Sequence, residues 1–348
     1  MNTNRRKAIK LMSAAGAGMA LLGGVNLLSS CSKTGKKEYQ QISGQGGEGK
    51  ASALFFGISL AQWSLHRSFF GGAPNWATFG STIQSDPDSL LKGELKPEDF
   101  PEIAQRDFGI NAVEYVNTFY FSKGSDETFW QEMRRRCDDL GVSSQLIMCD
   151  AEGSLGDLDD AARLQAVENH YKWINAAKIL GCHSIRVNAA GNGTEEEVKS
   201  AAIDGLGKLT EYGAQNGVNV IVENHGGYSS NGKWLAEVIS QVGSEYCGTL
   251  PDFGNFCIER GPEGCANEYD RYQGVKDLIP FAKGLSAKTH AFDAEGNETS
   301  TDFEKMMQIA KEANFHGYIG IEYEGNELSE AEGILATKAL LQRVGKMG

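Results

Sequence analysis

The sequence predicts a single-domain α/β protein, a (β/α)8 TIM barrel, and three observations favour that fold. The chain has 348 residues, of which 41% are hydrophobic and 23% charged, as is typical of a globular protein with a full core. From residue 54 onward, apolar strand-like runs alternate with amphipathic helical stretches. Eight such runs occur without a Gly-x-Gly-x-x-Gly sequence after the first, which favours a barrel over an open doubly wound sheet.

The eight predicted strands are short and end close to polar residues. They cover residues 54–60, 112–116, 144–148, 184–188, 218–223, 248–252, 285–290 and 318–323. Three of the helices between them are predicted to begin with a capping box, in which Ser or Thr precedes Glu by three residues. The pairs are Thr194 with Glu197, Thr301 with Glu304, and Ser329 with Glu332.

The N-terminal part of the chain is predicted to lie outside the barrel. Residues 1–30 combine a twin-arginine segment, NRRKAIK, with a Gly-broken apolar stretch, as in an export signal. Cys31 follows Leu-Ser-Ser, which resembles a bacterial lipoprotein box, so we expect a lipid anchor at Cys31 on the periplasmic face of a membrane. An uncleaved membrane anchor is the alternative. Residues 31–50 are predicted to form a flexible tether, and residues 51–348 are predicted to form the barrel.

The net charge excludes some classes of partner. The chain carries a formal charge of −13, and removal of residues 1–30, which contain four cationic and no acidic side chains, would leave −17. Because binding to a phosphate backbone needs clustered Lys and Arg, we expect no nucleic-acid partner and no membrane contact apart from the anchor. The oligomeric state is not predicted.

Six cysteines remain after Cys31. Cys149, Cys182 and Cys247 adjoin apolar runs, which favours buried free thiols. Cys257 and Cys265 share one loop, and either a disulfide or two free thiols is compatible with that spacing in an oxidising compartment.

Ionisable residues stand at the ends of the last four predicted strands: Glu223, Asp252, His290 and Glu322. Parallel barrel strands bring their carboxyl ends to one rim, so these four side chains can converge. Two glutamates, one aspartate and one histidine are suited to a divalent cation. Carboxylates favour Mg²⁺ or Mn²⁺, whereas one imidazole also admits Co²⁺ or Zn²⁺.

The order Glu, Asp, His, Glu in VENHGG, LPDFGNF, AKTHAF and IGIEYEG resembles the xylose isomerase-like TIM barrel superfamily, often labelled sugar phosphate isomerases/epimerases. The resemblance covers residues 54 to 345. It implies that Glu223, Asp252, His290 and Glu322 hold one divalent metal, most commonly Mn²⁺, with Co²⁺, Mg²⁺ or Zn²⁺ as alternatives. It also implies that Glu223 and Glu322 exchange protons with a sugar carbon through an enediolate.

Two further side chains are candidate catalytic residues. By strand alternation, His225 shares a face with Glu223, and Lys288 shares a face with His290. They could bind substrate oxygens or assist proton transfer, although a plain hydrogen-bonding role is equally compatible with their positions.

The chain departs from the family pattern in ways that concern its substrate. Asn255 stands where epimerase relatives often carry a histidine, and the six histidines are too few at the strand tips for the three-metal cluster of AP endonucleases. The loops after strands seven and eight, HAFDAEGNETS and EYEGNELSE, are acidic, although barrels that bind phosphate tend to do so there. We therefore expect a neutral carbohydrate substrate.

Segment 61–95 is an aromatic-rich insertion on the expected catalytic rim. It could form a lid or a wall for a sugar ring, or simply pack on the barrel top.

Three functions remain open: a metal-dependent sugar isomerase or epimerase, a lyase acting on 3-keto-glycosides, and a non-catalytic lipid-anchored carbohydrate-binding protein. The intact set of four strand-tip residues disfavours the last, because binding alone does not need two opposed carboxylates.

Overall fold

Eight parallel strands form the centre of the molecule in the computed structural model, which describes residues 53–346. In chain order the barrel strands are β1 (Gly57–Ala61), β2 (Ala112–Val116), β3 (Ser143–Met148), β4 (Ser184–Val187), β5 (Asn219–Glu223), β6 (Cys247–Leu250), β9 (Leu285–Thr289) and β10 (Tyr318–Tyr323). Neighbours in the sheet follow the order β6, β5, β4, β3, β2, β1, β10, β9.

The sheet closes between β6 and β9. Parallel bridges join Thr249 to Ala282 and Asp252 to Ser286, and the Ser286 N–H donates to the Pro251 carbonyl at 2.9 Å. Closure gives every barrel strand two neighbours, so the backbone hydrogen bonds are satisfied without an exposed edge. The predicted (β/α)8 barrel is confirmed.

Helices cover the outside of the barrel, except the first two, which belong to the insertion after the first strand. Their bounds are α1 (His66–Phe70), α2 (Trp76–Ser85), α3 (Phe100–Phe108), α4 (Glu127–Leu140), α5 (Asp160–Leu180), α6 (Glu195–Asn216), α7 (Gly232–Val242), α8 (Arg271–Leu278), α9 (Phe303–Glu312) and α10 (Glu330–Val344). Strand alternation explains the layers: Val220 and Val222 of β5 face the helices, while Ile221 and Glu223 face the interior. Within residues 53–346, no helix is long and apolar enough to cross a membrane.

Two of the three predicted capping boxes are present, at Thr194 and Ser329. The third prediction is wrong, because α9 is capped by Asp302, whose carboxylate accepts from the Lys305 N–H at 3.0 Å. The Thr301 hydroxyl instead accepts from Arg271 Nη1 at 2.7 Å. The helix therefore begins one residue later than the sequence pattern indicates.

The insertion after β1 both packs onto the barrel and lines its mouth. Phe69 and Phe70 are buried, whereas Trp76, the first residue of α2, is 58% exposed. Gly93 permits the close fold of this segment, because a Cβ there would lie 1.8 Å from the Ser68 carbonyl oxygen.

An antiparallel hairpin follows β6, formed by β7 (Cys257–Gly261) and β8 (Gly264–Glu268). A disulfide joins Cys257 to Cys265 across it, which settles the alternative that the sequence leaves open. Cys149, Cys182 and Cys247 are buried free thiols, as predicted.

The predicted export signal (1–30), Cys31 and the tether (31–50) lie outside the described residues and stay predictions.

Candidate active site and metal-binding cluster

Three of the predicted carboxylates converge at the carboxyl end of the barrel. Glu223 ends β5, Asp252 follows β6 by two residues, and Glu322 belongs to β10. One oxygen from each lies within 4.8 Å of the other two, and all three residues are at most 3% exposed. The three side chains meet because parallel strands deliver these positions to the same rim.

The loop after β6 and Ser286 of β9 fix the carboxylate of Asp252. Its Oδ1 accepts from the backbone N–H groups of Gly254 and Asn255, each at 2.8 Å. Its Oδ2 accepts from Ser286 Oγ at 2.6 Å. Both oxygens are thus held in place before any ligand binds.

Glu322 is engaged by two residues of β9. Its Oε2 lies 2.9 Å from Ser286 Oγ, and its Oε1 accepts from Lys288 Nζ at 3.0 Å. The same ammonium donates to Glu324 Oε1 at 3.1 Å and lies 4.0 Å from Asp252 Oδ2. Lys288 is buried, so three carboxylates surround it with little screening by water.

Glu223 keeps one oxygen without a hydrogen-bond donor. Asn255 Nδ2 donates to its Oε1 at 3.0 Å. Its Oε2 lies 2.7 Å from Arg186 Nε, but the two atoms are not aligned as a hydrogen bond. Arg186 directs its Nη1 to Asp150 Oδ1 instead, at 2.8 Å. Glu223 Oε2 is therefore a buried acceptor with capacity for a further ligand.

Burial and mutual repulsion disfavour the charged forms of these acids. Burial, opposed by Arg186 and reinforced by Glu322, raises the pKa of Glu223 to about 7. Burial also raises the pKa of Asp252 to about 7, although Lys288 opposes this. Deeper in the barrel, burial raises the pKa of Glu114 to about 8. A further cation would relieve this repulsion.

The donor set therefore fits a divalent cation. Three carboxylates offer the hard oxygen ligands that Mg²⁺ and Mn²⁺ prefer, and one of their oxygens has no hydrogen-bond partner. The cluster Glu223, Asp252 and Glu322 could bind a metal ion.

His290 does not join this cluster. β9 ends at Thr289, and His290 is exposed just beyond it. His290 is not among the residues whose ligand atoms lie within 4.8 Å of one another, and its role as a fourth ligand stays a prediction. The residues of β9 that reach the carboxylates are Ser286 and Lys288.

The other two candidate residues line the site differently. Lys288 contacts Glu322 directly, whereas His225 is exposed at the rim, on the cavity wall. The cavity at the barrel mouth has a volume of about 340 Å³. Its lining combines an aromatic side with a charged side: Trp63, Trp76, Phe79, Val116, Thr118, Met148, Asp150, Arg186, His225, Glu322 and Glu324.

Sequence reasoning missed Arg186, Ser286 and Glu114. Arg186 lies in the strand SIRV and Glu114 in AVEYV, so each is a charged residue inside an otherwise mostly apolar strand. A charged residue at an inward position of an apolar strand indicates a functional or ion-paired site, because a buried charge needs a partner. No comparable signal marks Ser286, because serine is common in strands of any function.

The sequence model of the family described as Xylose isomerase-like TIM barrel matches residues 104–343. No curated protein sequence matches the chain significantly. Among solved structures, the chain is similar to a D-tagatose 3-epimerase-like protein, with 16% identity, a TM-score of 0.58, and coverage of 83% of this chain and 97% of that one.

Two other similar structures are relevant to the site. One is 3-keto-D-glucoside 4-epimerase from E. coli, with 14% identity, a TM-score of 0.57, and coverage of 84% and 100%. The other is a xylose isomerase-like TIM barrel protein from Mycobacterium smegmatis in complex with magnesium, with 14% identity, a TM-score of 0.58, and coverage of 83% and 97%. At these identities the structures show a shared fold. The sequence match over more than half of its length shows that the chain belongs to the xylose isomerase-like TIM barrel family.

Proposed function

We propose that the protein is a metal-dependent isomerase or epimerase of a neutral sugar or sugar derivative. The observation that carries this proposal is the approach of Glu223 from β5 and Glu322 from β10 to one buried site, with Glu322 also in the lining of an aromatic-rich cavity. Two carboxylates from different strands can serve as a base and an acid toward the same substrate carbon. The similar structures include a D-tagatose 3-epimerase-like protein and 3-keto-D-glucoside 4-epimerase, which supports the same class of reaction.

In the proposed reaction, one glutamate removes a proton from a carbon next to a carbonyl, and the other returns a proton. Glu223 can take one of these roles, because its Oε2 accepts no hydrogen bond from the protein. Lys288 holds Glu322, and Asn255 holds Glu223, so neither carboxylate must reorient during the reaction. A divalent ion held by Glu223, Asp252 and Glu322, with Mn²⁺ or Mg²⁺ as the first candidates, would stabilise the negative charge of an enediolate.

The surroundings of the cavity favour an uncharged carbohydrate. Three carboxylates, those of Asp150, Glu322 and Glu324, outnumber the one guanidinium, that of Arg186, in its lining, so an anionic group such as a phosphate would be repelled. Trp63 and Trp76, with ring centroids 6.3 Å apart, provide apolar surface against which the C–H face of a sugar ring can pack.

A lyase acting on a 3-keto-glycoside is the second candidate. After the same proton removal next to the keto group, the electron pair would form a C=C bond and break the glycosidic C–O bond, and the aglycone would leave with a proton. Trp76 favours this candidate, because its exposed ring at the cavity mouth offers a surface for an aglycone.

Solvent-deuterium incorporation tests the proposal. Free sugars and 3-keto-glycosides would be incubated in D₂O with the full chain and added Mn²⁺, Co²⁺, Mg²⁺ or Zn²⁺. Deuterium in recovered sugar supports the epimerase, and release of an aglycone supports the lyase. Tight sugar binding without proton exchange on any substrate would instead identify a non-catalytic binding protein.

We also propose that the protein is exported and anchored through lipid on Cys31. The disulfide between Cys257 and Cys265 supports this location, because such bonds persist in oxidising compartments. Replacement of Cys31 by Ser is expected to abolish fatty-acid labelling and to release soluble protein. Unlabelled wild-type protein in the cytoplasm would contradict the proposal.

A further inference from the structure

We propose that Ser286, and not His290, is the metal ligand from β9, so that the metal site of this chain has oxygen donors only. The inference rests on the proposed function in one respect, namely that the carboxylate cluster binds a divalent ion. It does not depend on which sugar reaction follows.

The first argument is position. Ser286 pairs with Asp252 in the bridge that closes the barrel, and it is 1% exposed. Its Oγ lies 2.6 Å from Asp252 Oδ2 and 2.9 Å from Glu322 Oε2. Lys288 of β9 also reaches these carboxylates, but its ammonium has no lone pair, so Ser286 is the residue of the two that can bind a cation.

The second argument is the count of hydrogens. A serine hydroxyl has one hydrogen, but Ser286 Oγ lies within hydrogen-bond distance of two carboxylate oxygens. It can donate to only one of them at a time. A cation shared by Asp252, Glu322 and the lone pairs of Ser286 Oγ would satisfy all three groups. Glu223 Oε2 lies 2.7 Å from Arg186 Nε but accepts no hydrogen bond, so it keeps lone pairs that could bind the same cation.

The third argument concerns the backbone at His290. A Cβ on Gly325 would lie 1.7 Å from the His290 carbonyl oxygen, and the Glu324 N–H donates to the Thr289 carbonyl at 2.9 Å. The chain after β9 is therefore held tightly against the chain after β10. His290 is exposed just beyond the strand end and is not among the residues whose ligand atoms lie within 4.8 Å of one another.

The consequence is a preference among metal ions. Three carboxylates and one hydroxyl form a hard donor set, whereas an imidazole would add affinity for Zn²⁺ and Co²⁺. We therefore expect a lower ratio of Zn²⁺ to Mn²⁺ affinity than an imidazole-containing site would give. Ser286 is in this sense a residue that determines metal specificity.

The test measures metal binding to the full chain by calorimetry, with Mg²⁺, Mn²⁺ and Zn²⁺ as the probes. Ser286→His is expected to raise the ratio of Zn²⁺ to Mn²⁺ affinity by at least about tenfold, and Ser286→Ala to weaken Mn²⁺ binding, since a single ligand-shell change is typically worth about 10- to 100-fold in affinity. His290→Ala is the matched control and should leave Mn²⁺ affinity within about twofold. Thermal unfolding would verify that each variant is folded, and Ser286→Ala carries the test if Ser286→His does not fold.

Electron spin echo spectroscopy of bound Mn²⁺ gives an independent readout. The wild-type spectrum should lack the ¹⁴N modulation of a coordinated imidazole, and the Ser286→His spectrum should show it. Imidazole modulation in the wild type that disappears in His290→Ala would overturn the inference. So would unchanged metal affinities in both Ser286 variants, or the absence of Mn²⁺ binding at millimolar concentration. Deuterium exchange into sugar is measured separately, so failure of this inference is distinguishable from failure of the proposed function.

Discussion

Lys288 Nζ donates to Glu322 Oε1 across 3.0 Å, and both side chains are buried, with Glu322 in the lining of the cavity at the barrel mouth. Glu322 and Lys288 face each other because they are paired in register between β10 and β9. The ammonium also donates to Glu324. One cation therefore binds a carboxylate within β10, that of Glu322, and a carboxylate just after it, that of Glu324. This arrangement holds in one orientation the carboxylate that we propose to transfer a proton.

Replacement of Lys288 by Met should destabilise the fold. Removal of one partner of a buried ion pair leaves an uncompensated charge, which typically costs about 3–5 kcal/mol in the free energy of unfolding. Saturating Mn²⁺ should recover part of this loss, because a cation that binds only the folded state stabilises it. Urea unfolding with and without Mn²⁺ would measure both effects. Lys305→Met, which removes a surface ammonium over the Tyr272 ring, is the control and should cost far less.

Replacement of Glu322 by Gln should slow proton exchange by about 10²- to 10⁴-fold, the usual contribution of a general acid or base. Binding of the sugar should change far less, since the amide keeps the shape of the carboxylate but cannot accept the proton. Deuterium-exchange rates and calorimetric affinities would be compared in the same preparation. Glu324→Gln also loses a contact with Lys288 and should show a much smaller decrease in rate. Equal decreases in the exchange rate of the two variants would contradict the proposed role of Glu322 in proton transfer.

Glu114 should make the stability of the protein depend on pH. Burial raises its pKa from 4.5 to about 8, so the folded state keeps a proton that the unfolded state loses between these values. The free energy of unfolding should accordingly fall as pH rises from about 4.5 to 8, and this effect should be complete above pH 8.

Glu114→Gln removes this titration. Comparison of the free energies of unfolding of the variant and the wild type cancels the contributions of other titratable groups. At about 1.4 kcal/mol for each pKa unit, the stability of the variant relative to wild type should increase by the order of 3–5 kcal/mol between pH 4.5 and 8. Denaturant unfolding across this range would test it. A difference that stays constant with pH would show that Glu114 titrates normally.

Trp76→Ala should weaken substrate binding with little effect on folding. The ring is 58% exposed at the cavity mouth, so its removal leaves no core cavity. Loss of the stacking surface is expected to cost about 1 kcal/mol, or roughly fivefold in Kd. Leu335→Ala on α10, which is also exposed, is the matched control and should leave affinity unchanged. If neither variant changes Kd for any bound sugar or glycoside, the aromatic insertion only covers the barrel top.

The Cys257–Cys265 disulfide should stabilise the hairpin of β7 and β8. For a closed loop of this length, the disulfide is expected to add about 2–3 kcal/mol to the free energy of unfolding, because it lowers the entropy of the unfolded chain. Cys257→Ser combined with Cys265→Ser should lower the free energy of unfolding by up to this amount while the barrel stays folded. Cys149→Ser is a control for loss of a buried free thiol.

The sequence by itself determined the barrel and most of its functional rim. Apolar runs alternating with amphipathic helices predict eight βα units, and strand tips predict that Glu223, Asp252 and Glu322 face one site. These inferences succeed because hydrophobic period and strand alternation are local properties that tertiary packing seldom reverses. Lys288 was found by the same alternation.

The tertiary structure alone decided which residue of β9 meets the carboxylates. Ser286 and His290 share one parity, and the choice between them depends on where β9 ends and how it is staggered against β6 and β10. Stagger is set by barrel closure and by contacts such as Gly325 against His290, between residues distant in sequence. For the same reason the partners of Arg186, which are Asp150 after β3 and Glu223 on β5, could not be predicted from its own strand.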